Sequence, residues 1–429
     1  MFFTNGHTTT VKNTTHKIVL PFYLYAALSF LSASLLLLLS ANAFTGHYFN
    51  PQILAITHIM ALGWGTMMIL GSSHQLVPVL SESSLYSNFL GYMSFALAAT
   101  GIPLLVFAFY NFTMTWQAKT GGWLIVTAVI CYLVNLAGTI TKNKTTNVHA
   151  VFVFTGALWL LITILLGLAL IYNFTFNIFS KGSLAYLPLH AHMGIAGWFL
   201  LVVIGVGSRL IPMFLISKYN NPKLLWMIYS LINTALLFFI FLFQYDVIKS
   251  FYLFPLTMFI VALCTFGYYC YQCFVQRIRR KLDEQMKMSL LTVITMLLPM
   301  IILIPVIVLL CNDLADKKLV MIYGFIIFFG WISSIIFAMT FKTLPFIVWN
   351  KVYHLQSANS KTPNPKDLFN NKIFKAMSVA YLAGILIFIA GVIFANTFIL
   401  RTGAASLLIA AILYNWNVIA VLTHKRNVI

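Results

Sequence analysis

The sequence HIMALGWGTMMILGSSHQLVP runs from His58 to Pro78, and its spacing of glycine, tryptophan and proline occurs twice more in the chain. The segment from His192 to Pro212 reads HMGIAGWFLLVVIGVGSRLIP and aligns with the first segment without a gap. A third segment, FIIFFGWISSIIFAMTFKTLP, begins at Phe325 and keeps the same spacing, but phenylalanine replaces the histidine. Three of the 9 tryptophans therefore share one motif, which indicates an internal repeat of about 134 residues.

The motif itself has an ordinary structural interpretation. Glycine allows close helix packing, tryptophan fills space, and proline ends a helix near the membrane surface. The period is more informative, because the motifs lie on the second, sixth and tenth apolar runs of the chain. It predicts three units of four helices, roughly 17–141, 148–274 and 288–422, arranged as three arcs with pseudo-threefold symmetry. This period argues against the two-part repeats that are common in secondary transporters.

The hydropathy pattern predicts an all-α, polytopic membrane bundle. The chain is 61% hydrophobic and 8% charged, with a mean hydropathy of +0.94, so it lacks the polar surface of a water-soluble domain. About twelve apolar runs are long enough to cross about 30 Å of hydrocarbon. The gaps between them are short, so we expect a single transmembrane domain over residues 1–429. The runs lie near residues 17–44, 51–80, 85–110, 121–141, 148–172, 184–216, 223–244, 250–274, 288–311, 319–349, 372–395 and 401–422.

The charge distribution predicts the orientation. The chain has 26 basic and 7 acidic residues, and with twelve spans both termini share a side that receives 20 of the 26, including the RIRRK cluster at 277–281. The positive-inside rule then places both termini in the cytoplasm. The excess charge is explained by topology and contact with anionic lipid, so no nucleic-acid partner is expected. The polar first sixteen residues do not suggest a cleaved signal peptide, and the short loops favour a bacterial inner (plasma) membrane.

Histidines near one depth of the membrane are the main candidate site. His58 lies about seven residues, or about 10 Å, into the second helix, and His190 and His192 lie at a similar depth in the sixth. Imidazoles at one level can hold a planar cofactor from both faces or chelate a metal. Because His190 and His192 are two residues apart, they point about 200° apart and can serve different pockets. The alternative is that each histidine is structural and bonds to a carbonyl or hydroxyl group.

Four further residues are weaker candidates. His74 lies about 24 Å along the second helix from His58, and His149 opens the fifth helix on the same side, so a second metal site between them is conceivable. Arg209 and Lys342 occupy equivalent positions of the repeat. They should extend to the cytoplasmic interface, where they could also hold heme propionates or a lipid headgroup.

Other candidate chemistry is sparse. Cys270 and Cys273 form a single C-x2-C pair without a nearby histidine, which is a weak indication of metal binding. All seven acidic residues fall in loops or at helix ends, so no carboxylate is available in the middle of the membrane for a proton relay. No phosphate-binding loop, nucleophile elbow or dinucleotide motif is evident.

The twelve helices, the threefold period and the embedded histidines together resemble subunit I of the heme-copper oxidases and its divergent relatives. These relatives include cytochrome oxidases, nitric oxide reductases and heme- and copper-containing proteins of nitric oxide tolerance. The motifs that carry the resemblance are T-H-x4-G-W at His58 and H-A-H-x4-G-W at His190 and His192. The resemblance implies that His58 binds a b-type heme and that the sixth helix supplies a ligand for copper, as a second cofactor.

The chain departs from this family in two places. The paired histidines after the seventh helix are absent from NNPKLLWMIYSLIN at 220–233, and the H-x-H of the tenth helix is replaced around Phe325. The usual high-spin heme and complete copper centre therefore lack their ligands. Because H-x-H lies on the sixth helix instead, we expect a pocket where His58 and either His190 or His192 sandwich one heme.

The leading hypothesis from the sequence is a heme-binding membrane protein that acts in electron transfer or in oxygen or nitric oxide chemistry. Its preferred axial ligands are His58 and His192, with His190 as a second-site or copper ligand; if it is an enzyme, it is an oxidoreductase. Expected partners are lipid, a cytochrome or quinol donor, and other membrane subunits. One alternative is a copper or small-molecule transporter that uses the histidines with Met60 and Met193. Another is a subunit for assembly or lipid contact whose histidines are structural.

Overall fold

The computed structural model describes residues 15–142, 147–353 and 362–426. Within these ranges twelve helices are long and apolar enough to cross a membrane, and no β-strand is formed. The prediction of an all-α, polytopic membrane bundle is therefore confirmed. The helices are α1 (His16–Leu39), α2 (Pro51–Leu80), α3 (Asn88–Tyr110), α4 (Trp116–Ile140), α5 (Val148–Phe176), α6 (Ser183–Leu215), α7 (Pro222–Gln244), α8 (Lys249–Val275), α9 (Glu284–Cys311), α10 (Lys317–Tyr353), α11 (Asn371–Ile393) and α12 (Thr397–Leu422).

Each predicted apolar run contains one of these helices, and the bounds differ by a few residues. The first run was expected to continue to residue 44, but α1 ends at Leu39 because a 3-10 turn forms over Ala41–Thr45. The tenth run was expected to end at residue 349, whereas α10 continues to Tyr353. Lys12 and Lys144, which the sequence assigned to the inner side, lie outside the described residues.

Asparagine caps fix the start of several helices. The Asn50 side chain accepts a hydrogen bond from the Gln52 backbone at 2.9 Å, and Pro51 occupies the first turn. Asn221 caps α7 in the same way, again with proline as the next residue. Such caps satisfy backbone groups at the membrane boundary and use the preset dihedral of proline.

Each of the three motif helices contains a π-helical stretch at the same place. The stretches are Ile59–Thr66 in α2, Met193–Leu200 in α6 and Ile326–Ile332 in α10. All three begin directly after the motif position held by His58, His192 or Phe325. A π-helix adds a residue to the turn and is frequently found at functional sites. The three copies of the motif thus share a distortion of the backbone as well as a sequence pattern.

The motif tryptophans also make related contacts. The indole N–H of Trp198 donates to the Thr66 hydroxyl at 3.0 Å, and that of Trp64 donates to the Ser333 hydroxyl at 3.0 Å. Each acceptor lies two residues after the tryptophan of its own helix. The third indole, of Trp331, has no hydrogen-bond partner among the described residues. The corresponding residue of α6 is Leu200, which has no acceptor to offer.

Glycine allows two of the motif helices, α2 and α6, to pack closely against the helix that comes directly before each of them in the chain. A Cβ atom at Gly71 would lie 2.5 Å from the Phe22 Cβ, and one at Gly205 would lie 2.4 Å from the Phe152 Cβ. The α1–α2 and α5–α6 contacts are thus alike at equivalent positions. The division of the whole bundle into three arcs nevertheless stays a prediction.

Candidate functional site

A cavity of about 690 Å³ extends from one face of the bundle into its interior. Its outer part is lined by residues of the loops before α2, α8 and α10, including Tyr48, Asp246 and Asp316, and its deepest part reaches Trp198 and Trp331. The walls between are mainly aliphatic and aromatic. This volume and this lining are typical of cofactor and small-ligand sites.

His58 of α2 and His190 of α6 lie together in this cavity. Their ring centroids are 6.2 Å apart and their ring planes differ by 19°. The His58 Nδ1 lies 2.8 Å from the Leu54 carbonyl oxygen, and the His190 Nδ1 lies 3.1 Å from that of Thr163. A carbonyl oxygen can only accept, so each Nδ1 carries the proton and each Nε2 has the free lone pair that binds a metal.

The separation of these rings matches that of two ligands of one metal. Two imidazoles that bind a metal ion from opposite sides through Nε2 have ring centroids about 6.4 Å apart, given metal–nitrogen bonds of about 2.1 Å and about 1.1 Å from each nitrogen to its ring centroid. The observed 6.2 Å is close to this value. The backbone hydrogen bonds hold both rings in place, as the outer partners of metal-binding histidines do.

Neighbouring residues leave little freedom to the two rings. A Cβ atom at Gly167 of α5 would lie 2.8 Å from the His190 Cε1, so the absence of a side chain at Gly167 makes room for the imidazole. On the other side, the Phe109 ring contacts the His58 ring edge to face at 4.6 Å between centroids. The pair is therefore positioned by packing as well as by hydrogen bonds.

His192, the sequence's preferred partner of His58, has different neighbours. Its Nδ1 donates to the Pro188 carbonyl at 2.7 Å, and its Nε2 lies 3.2 Å from the Tyr323 hydroxyl of α10. The Phe239 ring of α7 lies 5.3 Å away. The structure thus brings His58 together with His190, and His192 together with Tyr323.

The contacts of these side chains divide the residues that line this one cavity into two groups, named here by the helices that supply them. We call the part bounded by α2, α3, α4, α5 and α6 the first lobe, which holds His58 and His190. The part bounded by α6, α7, α8, α9 and α10 is the second lobe, which holds His192 and Tyr323. The H-A-H spacing on α6 directs one histidine into each lobe, as the helical geometry predicts.

Sequence reasoning missed Tyr323, although the repeat contained a signal for it. Tyr323 precedes Phe325 by two residues, just as His190 precedes His192. Tyr323 is therefore the α10 counterpart of His190. A polar side chain at this position of the repeat was the signal that Tyr323 lines the cavity.

The weaker candidates lie elsewhere in the bundle. The His74 ring stacks on Phe22 at 5.5 Å and its Nδ1 bonds to the Leu70 carbonyl at 2.6 Å. The His149 Nδ1 lies 2.8 Å from the Ser208 hydroxyl. The two rings thus have separate neighbours, and no group of three or more metal-binding side chains occurs within the described ranges.

Arg209 and Lys342, which the sequence suggested as partners for heme propionates or a lipid headgroup, lie away from the cavity. Lys342 forms an ion pair with Asp283, which also pairs with Arg279 at 3.2 Å. Neither Lys342 nor Arg209 lines the cavity, whereas Lys249 and Lys317 do. Cationic groups therefore stand at the outer mouth of the cavity and not at its inner end.

Ion pairs connect the loops around this mouth. Lys181 lies 3.5 Å from Asp246, and Lys249 pairs with Asp313. The Lys249 ammonium group lowers the pKa of Asp313 through a hydrogen bond and its charge. Because these groups are exposed, they position the loops without adding much stability.

In comparisons with known proteins, no protein-family model matches the chain, and no curated protein matches it in sequence.

Proposed function

We propose that this chain is a heme-binding membrane protein that transfers electrons, with His58 and His190 as the two axial ligands of a b-type heme. The observation that carries the proposal is the His58–His190 pair, whose 6.2 Å ring separation suits ligation of one metal from both sides. The resemblance to subunit I of the heme-copper oxidases supports the same cofactor. In that family the sixth helix supplies a ligand for copper, so metal-binding residues are expected on α6. On this helix the contacts favour His190 over His192 as the partner of His58.

The residues of the first lobe fit such a group in three respects. Both Nε2 atoms carry lone pairs, because both Nδ1 atoms donate to carbonyl groups. The lining of the first lobe is mainly apolar, as in known cofactor sites. Lys317 at the mouth offers a positive charge for the acidic edge of a heme, while Lys249 is paired with Asp313.

The bound group would supply one-electron chemistry, and the protein residues set the conditions for it. His58 and His190 would both hold this group, which would favour electron transfer over binding of oxygen or nitric oxide. Leu54 and Thr163 hold the imidazoles in one tautomer and orientation through their carbonyl groups. The apolar lining excludes water and thereby influences the reduction potential.

The proposal extends to orientation and partners. The positive-inside pattern supports a bacterial inner membrane with both termini in the cytoplasm, so the cavity mouth would face the outside. A cytochrome or a quinol would then be the electron donor, and other membrane subunits are candidate partners. Copper as a second cofactor has less support, because His192 has an aromatic and phenolic surrounding.

A copper transporter is the second candidate, and one observation favours it. Two opposed imidazoles also suit a monovalent copper ion, and Met60 lines the same cavity. The apolar lining of the first lobe favours heme, because a single ion would leave the aliphatic and aromatic residues around the pair without a ligand to contact.

The test is the visible absorption spectrum of the detergent-purified protein, oxidised and reduced with dithionite, together with its metal content. We expect a Soret band that is lost in His58→Ala and in His190→Ala but kept in the matched control His192→Ala. Loss in His192→Ala with retention in His190→Ala would refute the assigned pair. A colourless protein with one copper per chain would support transport, and a colourless protein without metal would leave the histidines a structural role.

A further inference from the structure

The second lobe contains a polar pair that the proposed heme site does not use. The Tyr323 hydroxyl and the His192 Nε2 are 3.2 Å apart. Because the His192 Nδ1 donates to Pro188 at 2.7 Å, its Nε2 has no proton and accepts one hydrogen bond from Tyr323. The direction of this bond is thereby fixed.

This direction determines what else the pair can bind. A phenolic oxygen that donates its proton still has lone pairs that accept hydrogen bonds. Within the described residues, His192 is the hydrogen-bond partner found for the Tyr323 hydroxyl. A molecule in the second lobe would therefore meet an acceptor, and it must carry a donor group such as a hydroxyl.

The walls of the second lobe select against charge and for an aromatic or alicyclic ring. Phe239, Phe259 and Phe328 line it together with aliphatic residues of α9, such as Leu303. The charged residues of the cavity lining are Asp246, Lys249, Asp316 and Lys317, and all four belong to the loops or helix ends at the mouth. A charged ligand would lose its hydration here without gaining a partner.

We propose that the second lobe is a binding site for a neutral, lipid-soluble ring compound that carries a hydroxyl group, which donates its hydrogen bond to Tyr323. His192 holds the Tyr323 hydroxyl so that its lone pairs face the ligand. The polar pair of this site is distinct from the His58–His190 pair, because His192 contacts residues of α7 and α10 whereas His190 contacts residues of α2 and α5. It does not depend on whether the first lobe holds heme.

Two glycines provide a matched pair of variants for this site. Gly324 follows Tyr323 and lines the cavity, and no atom lies within 4 Å of the position of an added Cβ. Gly267 of α8 has the same open surroundings but does not line the cavity. Gly324→Leu should fill the lobe without disturbing the backbone, and Gly267→Leu should control for the added side chain.

The experiment measures binding of 1-naphthol to the protein in lipid nanodiscs by equilibrium dialysis, with empty nanodiscs as the blank and naphthalene as the probe without a hydroxyl. We expect saturable binding of 1-naphthol to the wild type. Tyr323→Phe keeps the ring and should weaken this binding by about threefold to tenfold, the value of one hydrogen bond. Gly324→Leu should abolish it, while Gly267→Leu should leave it unchanged.

Two results would overturn the proposal. Equal binding of 1-naphthol by the wild type and Tyr323→Phe would show that the hydroxyl is not recognised. Equal binding by the wild type and Gly324→Leu would place the probe outside the lobe. Because the heme proposal is tested by the Soret band and not by binding of 1-naphthol, failure of one proposal is distinguishable from failure of the other.

Discussion

The three motif tryptophans allow one energetic comparison with internal controls. Trp64, Trp198 and Trp331 are 0%, 0% and 4% exposed, so replacing each by phenylalanine removes a similar buried area. Two of the indoles donate a hydrogen bond, and the third, Trp331, has no partner within the described residues. The comparison therefore isolates the hydrogen bond from the packing.

The expected change in the free energy of unfolding depends on whether the indole N–H has a hydrogen-bond partner. Trp64→Phe and Trp198→Phe each lose a hydrogen bond between membrane helices, which contributes about 0.6 kcal/mol on average. Trp331→Phe instead removes a buried donor without a partner, whose burial costs about 1–3 kcal/mol. We expect Trp331→Phe to lower the free energy of unfolding less than either of the others, by about 2 kcal/mol.

The assay is reversible unfolding in mixed detergent and dodecyl sulfate micelles, followed by far-UV circular dichroism. Equal destabilisation by the three variants would refute the reasoning, as would a larger loss for Trp331→Phe. The same substitution in a variant that already carries Leu200→Thr tests the role of the missing acceptor directly. Leu200→Thr supplies an acceptor at the position equivalent to Thr66, so in that background Trp331→Phe should cost as much as Trp64→Phe, a coupling that a double-mutant cycle measures.

Three further predictions follow from contacts described above or from the same glycine geometry. Gly167→Ala would place a Cβ 2.8 Å from the His190 ring, so we expect a lower heme content per chain, by tenfold or more, in the pyridine hemochrome assay; full heme content would contradict the assignment of His190. Gly403→Ala would place a Cβ 2.5 Å from a backbone nitrogen of α11 and should destabilise the α11–α12 pair by about 1–3 kcal/mol, whereas unchanged thermal unfolding would show that the pair can separate freely. Burial raises the pKa of Asp283, but the hydrogen bond and charge of Lys342 lower it by more, so its net pKa is below the ordinary value. The stability that Asp283 contributes is therefore present above about pH 4 and is lost as the pH falls through its folded pKa; the melting temperatures of wild type and Asp283→Asn should differ at pH 6 and converge in acid, and a constant difference would argue against this ion pair.

The fold was predictable because hydropathy reports the environment of each residue directly. A run of about twenty apolar residues has few alternatives to a membrane helix, and all twelve runs contain one. The π-helical stretches were not predictable, because a change in backbone hydrogen bonding leaves no mark in hydropathy. The motif identified where they occur without indicating what they are.

The sequence predicted how far along their helices the candidate histidines lie, but not which way their side chains point. Counting residues gives the height of His58, His190 and His192 along their helices, because the rise per residue is fixed. The choice between His190 and His192 depends on the rotation of α6 about its axis, which is set by packing against Trp159 and Phe152 of α5. That rotation is a property of the whole bundle, so the sequence alone left both partners open.

The π-helical stretch in α2 lets the helix hold one more residue than an ordinary α-helix would between the same two flanks. Ile59–Thr66 lies between His58 and the part of the helix that ends at Leu80. Deleting one residue from this stretch, for instance Ala61, would remove the added residue and restore an ordinary α-helix with both flanks in register. Deleting one residue from the α-helical part of α2 would instead turn one flank by about 100° relative to the other. For this chain, the π-helical stretches are consequently the places in the three motifs where the loss of a residue disturbs the surrounding side chains least.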